Sequence, residues 1–531
     1  MIFTKKYYII YLENEKKGYL ARDNKVKRMN TFLQGLQADT NFTRTENGAL
    51  THKTTGSRVF DMFAMGGAYR SRSEADCILL FKNAIEEDIT LAMKCLFYIR
   101  DIRGGQGERR FFRVCFKWLC KEYPEVAKRN IKYMSEYGRY DDMLYATEGT
   151  SLEEYTFSLL KEQLVLDLEC KTPSLLGKWL PSENASAHTT KKMANKFRKY
   201  LKMTHKQYRK VLSTLRARIN IVERLMSANE WDKIEFDKIP SKAGLIYKNA
   251  FARRDIIAKK YETFIKSDET KVNAKTLYPY DVAHDAFHCY NPDFDCVERV
   301  AIQKYWDALP NYYGDNKENG LAMVDVSGSM SGRPMEAAVS LGAYIAEKAH
   351  GPFANHFITF SGSPELVKFE GVDITDKFHR AQAADWGMNT NLKAAFDMLL
   401  EVAKKENTKT EDMPERLYIF SDMEFDDCLT FSERREKDRW GYFGSSNVKT
   451  SEEAETLLEG IAKEWEEVGY ILPQVVFWNL DARQNNIPML DGRFAYVSGL
   501  SPVMIEQILS GLDGYDLMLA KLNSTRYEVI H

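Results

Sequence analysis

Oxygen-bearing side chains follow an apolar run in the C-terminal third of the chain. The run covers residues 321–326 and contains Asp325, and Ser327 and Ser329 come next at alternate positions. An aspartate at the end of a strand, followed by two hydroxyls, presents three oxygen donors to one point. Such hard donors suit Mg²⁺, which keeps several waters and needs few protein ligands. A Ser/Gly turn before a helix, with Ser329 or Ser331 as its N-cap, explains the same spacing without a metal.

Two later segments supply further donors. Thr390 stands in a loop before a predicted helix, and Asp422 follows the apolar run 417–420. Together these positions resemble the metal-ion-dependent adhesion site of von Willebrand factor A domains, which has a D-x-S-x-S motif, then a threonine, then an aspartate after a later strand. The resemblance implies a site for one Mg²⁺, or for Mn²⁺ or Ca²⁺. Its predicted ligands are Asp325, Ser327, Ser329, Thr390 and Asp422.

The resemblance leaves one coordination position of the metal open. In von Willebrand factor A domains a carboxylate from a partner commonly completes the coordination, which implies an acidic protein partner here. Glu424, Asp426 and Asp427 follow closely after Asp422, and one of them could fill that position from within the chain. The sequence does not decide between these two possibilities.

Strands that alternate with helices are expected to hold these donors. Between residues 319 and 531, short apolar runs alternate with segments of helical apolar spacing, which predicts an α/β domain with a parallel, doubly wound sheet. Such sheets bind ligands at the carboxyl ends of their strands. The resemblance makes this domain von Willebrand factor A-like. The predicted strands are 321–326, 357–360, 417–420 and 475–478, and the predicted helices are 335–349, 392–403 and 452–468.

A helical module is predicted upstream, over residues 29–310. Apolar residues recur there at three- and four-residue spacing, as in the stripe from Ile78 to Phe97 and in the segments 151–169 and 205–226. A long series of short amphipathic helices is typical of an α-helical repeat of HEAT-like type. Residues 1–28 carry eight Lys or Arg against three acids without any period, and are predicted to be a disordered leader.

The helical module contains a strongly basic segment. From Lys191 to Arg224 there are twelve Lys or Arg and one acid, with Phe197, Tyr200 and Tyr208 interleaved. Cations suit RNA phosphates and aromatic rings suit unstacked bases. A solvated face, or a helix docked on the glutamate-rich segment 452–467, is the alternative. The predicted RNA contacts are Lys191, Lys192, Lys196, Arg198, Lys199, Lys202, His205, Lys206, Arg209, Lys210, Arg216 and Arg218.

Residues 203–210 resemble the helix-start signature of the TROVE module of Ro ribonucleoproteins, in which a Ser or Thr cap precedes His-Lys and a later basic residue. The order of a helical module and a von Willebrand factor A-like domain is also similar. In Ro proteins the helical module forms a ring that binds small noncoding RNAs and the ends of misfolded RNAs. The resemblance therefore implies a noncoding or structured RNA as the partner.

A closer resemblance links nearly the whole chain from residue 29 onward to an uncharacterised family of fungi, plants and phages. That family has no established activity, so RNA binding is implied only by the more distant Ro proteins. The matching segments are 45–49, 101–109, 178–184, 226–231, 325–330, 421–425 and 476–479.

Composition excludes several other classes of protein. The formal net charge is −1, the eight cysteines form no C-x-x-C pair, and no apolar run has the length of a membrane span. We therefore expect a cytoplasmic protein with reduced thiols and no membrane partner. The chain lacks a phosphate-binding P-loop and a G-x-S-x-G nucleophile elbow. His284 and His288 stand one helical turn apart, but no third metal ligand is evident in the sequence, so we expect them to be structural.

These features together predict an RNA-binding, metal-dependent interaction protein that is not an enzyme. The first alternative is a protein–protein adaptor whose metal site grips an acidic partner, without RNA binding. The second is a metal-dependent phosphoesterase, for which the sequence offers no general base.

Overall fold

The computed structural model describes residues 41–219, 221–360, 364–383, 391–426, 456–490, 494–512 and 514–531. The predicted leader at 1–28 and the predicted ligand Thr390 lie outside these ranges. Asp427 and the first residues of the predicted helix 452–468 lie outside them as well.

A helical module precedes the sheet. A hairpin of two short strands, β1 (Phe42–Arg44) and β2 (Leu50–His52), comes first, and the antiparallel register pairs Thr43 with Thr51. The helices of the module are α1 Arg58–Met65, α2 Glu74–Glu87, α3 Ile89–Arg100, α4 Arg109–Glu122, α5 Pro124–Asn130, α6 Met134–Tyr137, α7 Tyr140–Thr147, α8 Glu153–Glu169, α9 Leu176–Trp179, α10 His188–Tyr200, α11 His205–Arg218, α12 Val222–Ser227, α13 Ser241–Arg253, α14 Asp255–Lys266, α15 Pro279–Phe287 and α16 Val297–Asp307.

Two predicted helices prove to be interrupted. The stripe from Ile78 to Phe97 spans α2 and α3, because the extended Asp88 ends the first helix and caps the second by accepting from the Leu91 amide at 2.9 Å. The predicted helix 205–226 ends at Arg218 and resumes as α12. Apolar spacing continues across both breaks because the side chains on either side face the same core, so periodicity alone does not reveal them.

An α/β domain follows the helical module, as the alternating pattern predicted. Its mixed sheet has the order β5-β4-β3-β6-β7-β8, in which only the edge strand β5 is antiparallel. The strands are β3 Gly320–Asp325, β4 His356–Phe360, β5 Glu365–Lys368, β6 Arg416–Ser421, β7 Gln474–Asn479 and β8 Phe494–Ser498, and the helices are α17 Arg333–Lys348, α18 Ile374–Gln382, α19 Leu392–Glu406, α20 Leu457–Glu467, α21 Ile505–Ile508 and α22 Gly514–Leu522.

The first strand of the sheet is held by a close helix contact. β3 is buried along its length, and α17 packs across it. Gly342 allows this approach, because a Cβ at that position would lie 2.5 Å from Cγ2 of Val324. The contact fixes the strand from whose end Asp325 projects.

Segments from both ends of the chain bind the two modules together. α15 packs on α17, and α1 packs on β8. Arg299 of α16 forms a bidentate ion pair with Asp373, the N-cap of α18, at 2.6 and 2.7 Å. The C-terminal segment returns to the helical module, where Arg526 and Tyr527 both bind the buried carboxylate of Asp101.

Candidate metal centre and nucleic-acid surface

Four of the five predicted metal-binding side chains lie at one edge of the sheet. β3 and β6 are parallel neighbours, with Val324 paired to Phe420, so Asp325 and Asp422 emerge side by side at their carboxyl ends. The strand order reverses at β3, which is where open α/β sheets form a ligand crevice. The hydroxyls of Ser327 and Ser329 are 2.9 Å apart in the loop after β3.

Asp325 is fully buried and held by hydrogen bonds on both oxygens. Its Oδ1 accepts from the Ser327 amide at 2.9 Å, and its Oδ2 accepts from the Ser421 hydroxyl at 2.6 Å. Burial and the neighbouring carboxylate of Asp422 raise the pKa of Asp325 to about 7. A cation bound beside two buried carboxylates would stabilise their ionised forms and so oppose this shift.

Two buried carboxylates, Asp422 and Glu424, lie in the neighbouring loop after β6. Asp422 and Glu424 are each 1% exposed, and burial raises the pKa of both, that of Glu424 to about 7. Among the residues that the structure describes, no hydrogen bond reaches Asp422 Oδ2 or Glu424 Oε1, although the guanidinium of Arg483 lies 3.8 Å from Asp422 Oδ2. Unpaired buried oxygens are costly, so this donor set fits a cation better than it fits an empty core.

The N-terminal hairpin covers the loop that carries these carboxylates. The Glu46 amide donates to Glu424 Oε2 at 2.7 Å, Asn47 donates to the Glu424 carbonyl at 2.6 Å, and the Thr45 hydroxyl donates to the Phe425 carbonyl at 2.6 Å. Arg483 adds a bond to the Ser329 carbonyl at 2.5 Å. The face of the site beside Glu424 is therefore occupied by the protein's own chain.

The basic segment forms the pair of helices α10 and α11. Thr204 caps α11 in a capping box with Gln207, as the helix-start signature predicted. Seven exposed cations of these helices and of the turn between them, which we call the basic surface, have no ion-pair partner among the residues that the structure describes. They are Lys191, Lys192, Lys199, Lys202, Lys206, Arg209 and Lys210.

Other predicted RNA contacts form ion pairs with acidic side chains of the protein itself. Lys196 lies 2.9 Å from Glu153, and this hydrogen bond raises the pKa of Lys196. The Glu183 carboxylate lies 2.9 Å from the guanidinium of Arg198 and 2.7 Å from the imidazole of His205.

Two arginines of α11 are likewise used for internal contacts. Arg216 donates to the carbonyls of Gly177 and Leu180 at 2.9 Å, and burial lowers its pKa. Arg218 donates to the Leu168 carbonyl at 2.7 Å, near the end of α8. Neither arginine meets an acid in these contacts, so both still add positive charge to this side of the module.

The aromatic residues of the basic segment do not serve as predicted. Phe197 and Tyr208 are fully buried, and Tyr200 packs against Phe157 at 5.3 Å between ring centroids. Phe197 and Tyr208 therefore form the core beneath the helices and cannot stack on RNA bases, and Tyr200 is partly buried beside them. They interleave with the cations because an amphipathic helix alternates its core and solvent faces.

A cleft of about 560 Å³ adjoins the basic surface between α9, α11 and α12. Arg209 lines it, together with Trp179 and Arg224. The guanidinium of Arg139 lies 3.9 Å from the centroid of the Trp179 ring and covers one face of it. Sequence reasoning missed this cleft, because its lining residues come from three separate helices.

Comparison with known proteins gives matches along both modules. Residues 45–147 and 167–310 match the family described as domain of unknown function DUF2828, and residues 319–520 match domain of unknown function DUF7788. "Uncharacterized protein L728" of Acanthamoeba polyphaga mimivirus is 30% identical over 515 residues, which cover 88% of this chain and 85% of the viral protein. The chain belongs to the same family as that viral protein.

A solved structure also overlaps most of the chain. The Ro (RSR) protein of Deinococcus radiodurans is 11% identical, with a TM-score of 0.46, over 88% of this chain and 99% of that one. Overlap at that level is too loose to carry a conclusion about function. Within the part of the chain that the structure describes, no helix is long and apolar enough to cross a membrane.

Proposed function

We propose that this protein binds RNA through the phosphate backbone, on the basic surface of α10 and α11. The observation that carries the proposal is that seven exposed cations, on two consecutive helices and the turn between them, have no acidic partner among the described residues. The alternative prediction was that the basic segment packs against the glutamate-rich segment 452–467. In the described part of that segment, Glu459 and Glu464 of α20 instead pair with His52 and Lys393.

The chemistry of the surface favours backbone recognition over base recognition. Lysines act as point charges towards phosphates, and Phe197 and Tyr208 are buried and therefore closed to base stacking. Trp179 in the adjoining cleft is a ring that an unstacked base could meet. The choice of RNA rests on the resemblance of residues 203–210 to the Ro signature. A noncoding or structured RNA bound with strong salt dependence is the expected partner.

The second part of the proposal concerns the α/β domain, which we assign a von Willebrand factor A-like metal centre. Asp325, Ser327, Ser329 and Asp422 would hold one Mg²⁺, with Thr390 as the further predicted ligand. The unpaired oxygens of the buried carboxylates support this assignment. The ion would supply positive charge that offsets these carboxylates and orders the loops at the sheet edge.

The structure favours completion of this centre from within the chain. Glu424 is buried in the same loop with one oxygen unpaired, and the hairpin residues Glu46 and Asn47 bind over it. An acidic partner protein would have to displace the hairpin to reach the metal from this side. We therefore infer that Glu424 and the hairpin, rather than a partner, close this side of the centre, and the adaptor function becomes the weaker candidate. The proposal includes no catalytic step.

Charge reversal on the basic surface tests RNA binding. Lys206→Glu, Arg209→Glu and Lys210→Glu together should weaken binding of a single-stranded RNA about 50-fold near 0.15 M salt. They should also make the slope of log affinity against log salt shallower by about 2, because each lost phosphate contact releases about 0.7 fewer counterions. Fluorescence anisotropy across a salt series measures both quantities.

The matched control reverses three exposed lysines of the α/β domain, Lys404, Lys405 and Lys409, which changes net charge equally. That variant should bind RNA as the wild type does. An unchanged slope in the α11 variant, or equal losses in both variants, would contradict the basic surface as the RNA site. Tighter binding to DNA of the same sequence would count against RNA as the partner.

A further inference from the structure

The pair His284 and His288 lies at the junction of the two modules. Both histidines are exposed on one side of α15, one helical turn apart, and their ring centroids are 4.6 Å from each other. Glu336, in the first turn of α17, reaches across the junction to place its Oε2 2.7 Å from His284 Nδ1. The third ligand that the sequence did not reveal is thus supplied by the other module.

The geometry of this cluster suits a transition-metal ion. Ligand atoms of the two imidazoles and the carboxylate all lie within 4.8 Å of one another. His288 Nδ1 faces the backbone carbonyl of His284 at 2.7 Å, a bond that places the proton on Nδ1 and leaves Nε2 as a lone-pair donor. Histidines that bind metals commonly use their other nitrogen in this way. Asp285, which lies between the two histidines in sequence, forms an ion pair with Lys248 at 2.6 Å instead.

We propose that His284, His288 and Glu336 bind one Zn²⁺ that fastens α15 of the helical module to α17 of the α/β domain. Two imidazoles and one carboxylate form a common zinc ligand set, whereas Mg²⁺ prefers oxygen ligands alone. The position left over in a tetrahedral site is solvent-facing, because both histidines are exposed. This site is separate from the carboxylates at the end of β3 and β6 and takes a different class of ion.

The bridge has a structural consequence for the junction. α15 and α17 already pack against each other, and α17 is the helix that leads away from the Ser327 loop. A bound Zn²⁺ would restrain the first turn of that helix relative to the helical module. Zinc occupancy is therefore expected to raise the thermal stability of the full-length protein and to slow hydrogen exchange at both helices.

Zinc titration of the full-length protein tests the proposal. The chelator-treated protein is titrated with Zn²⁺ in a buffer that contains millimolar Mg²⁺. The Mg²⁺ is present to occupy the proposed oxygen-donor centre, so that Zn²⁺ does not bind there. The wild type should bind one equivalent, and its unfolding temperature should rise. His288→Ala should weaken this binding about 100-fold or more, because it removes one of three protein ligands. His284→Ala should do the same, and Glu336→Gln should weaken binding while keeping the shape of the side chain.

The control is His350→Ala, which removes another exposed histidine close to the end of α17 and should bind Zn²⁺ like the wild type. Because His284 and His288 are exposed, their alanine variants are expected to fold, and circular dichroism checks this. Absence of a zinc equivalent in the wild type would overturn the proposal. Equal zinc affinity in His288→Ala and the wild type would overturn it as well.

Discussion

Replacing Asp325 with alanine should abolish Mg²⁺ binding by the full-length protein. Asp325 is fully buried at the end of β3, and its two oxygens hold the Ser327 amide and the Ser421 hydroxyl in place. Alanine therefore removes a charged ligand and also releases the loop that carries the serine donors. Loss of one carboxylate from an oxygen site of this kind is expected to lower affinity by about 100-fold or more. Isothermal titration with Mg²⁺ or Mn²⁺ measures it.

A control in the same loop separates loss of the ligand from loss of the loop. Ser331 is exposed, and its hydroxyl donates to the Gly328 carbonyl at 2.7 Å rather than facing the carboxylates. Ser331→Ala should therefore retain Mg²⁺ binding, even though the N-cap explanation of the motif would make this serine important. Equal Mg²⁺ affinity in Asp325→Ala and the wild type would remove the metal centre from the proposal.

A large loss of stability is expected from Asp101→Ala. Asp101 is fully buried at the end of α3, where it binds Arg526 at 2.7 Å, the Tyr527 hydroxyl at 3.0 Å and the Arg103 amide at 3.0 Å. Removal of one partner of a buried ion pair costs about 3–5 kcal/mol, and the partial exposure of Arg526 places the expected loss near the lower end, about 3 kcal/mol. Urea denaturation should show this as a lower midpoint.

The same arginine provides a matched control. Glu136 also approaches Arg526, at 3.8 Å, but its side chain is 64% exposed. Glu136→Ala should change the free energy of unfolding by less than about 0.5 kcal/mol, since exposed ion pairs contribute little. Similar midpoints for the two variants would show that the C-terminal segment is not anchored through Asp101.

The proximity of Asp325 and Asp422 could be predicted from sequence, because parallel strands end at a common edge. Asp325 and Asp422 each follow an apolar run, and the structure makes those runs neighbouring strands. The packing of the β1–β2 hairpin against the loop after β6 could not be predicted from sequence. Thr45 and Phe425 are 380 residues apart, and no local sequence pattern indicates that they are in contact. Glu336 was missed as a partner of His284 for the same reason.

Exposure was the other quantity that the sequence could not supply. Helical spacing correctly predicted that the basic segment is helical. It did not show which of its Lys and Arg side chains face solvent and which bind neighbouring groups of the protein. Arg216 is turned towards three oxygen atoms of the loop 177–182, whereas Lys206 faces solvent. The interleaved rings of Phe197 and Tyr208 belong to the core, since a helix that carries cations on one side needs apolar residues on the other.

Ultraviolet cross-linking tests most directly whether RNA lies on the basic surface. The full-length protein is irradiated with a bound single-stranded RNA, and the cross-linked peptides are identified by mass spectrometry. We expect the cross-links to fall within residues 188–218 and on the cleft around Trp179, where the exposed cations are concentrated. Cross-links confined to the α/β domain would contradict α10 and α11 as the RNA-binding surface.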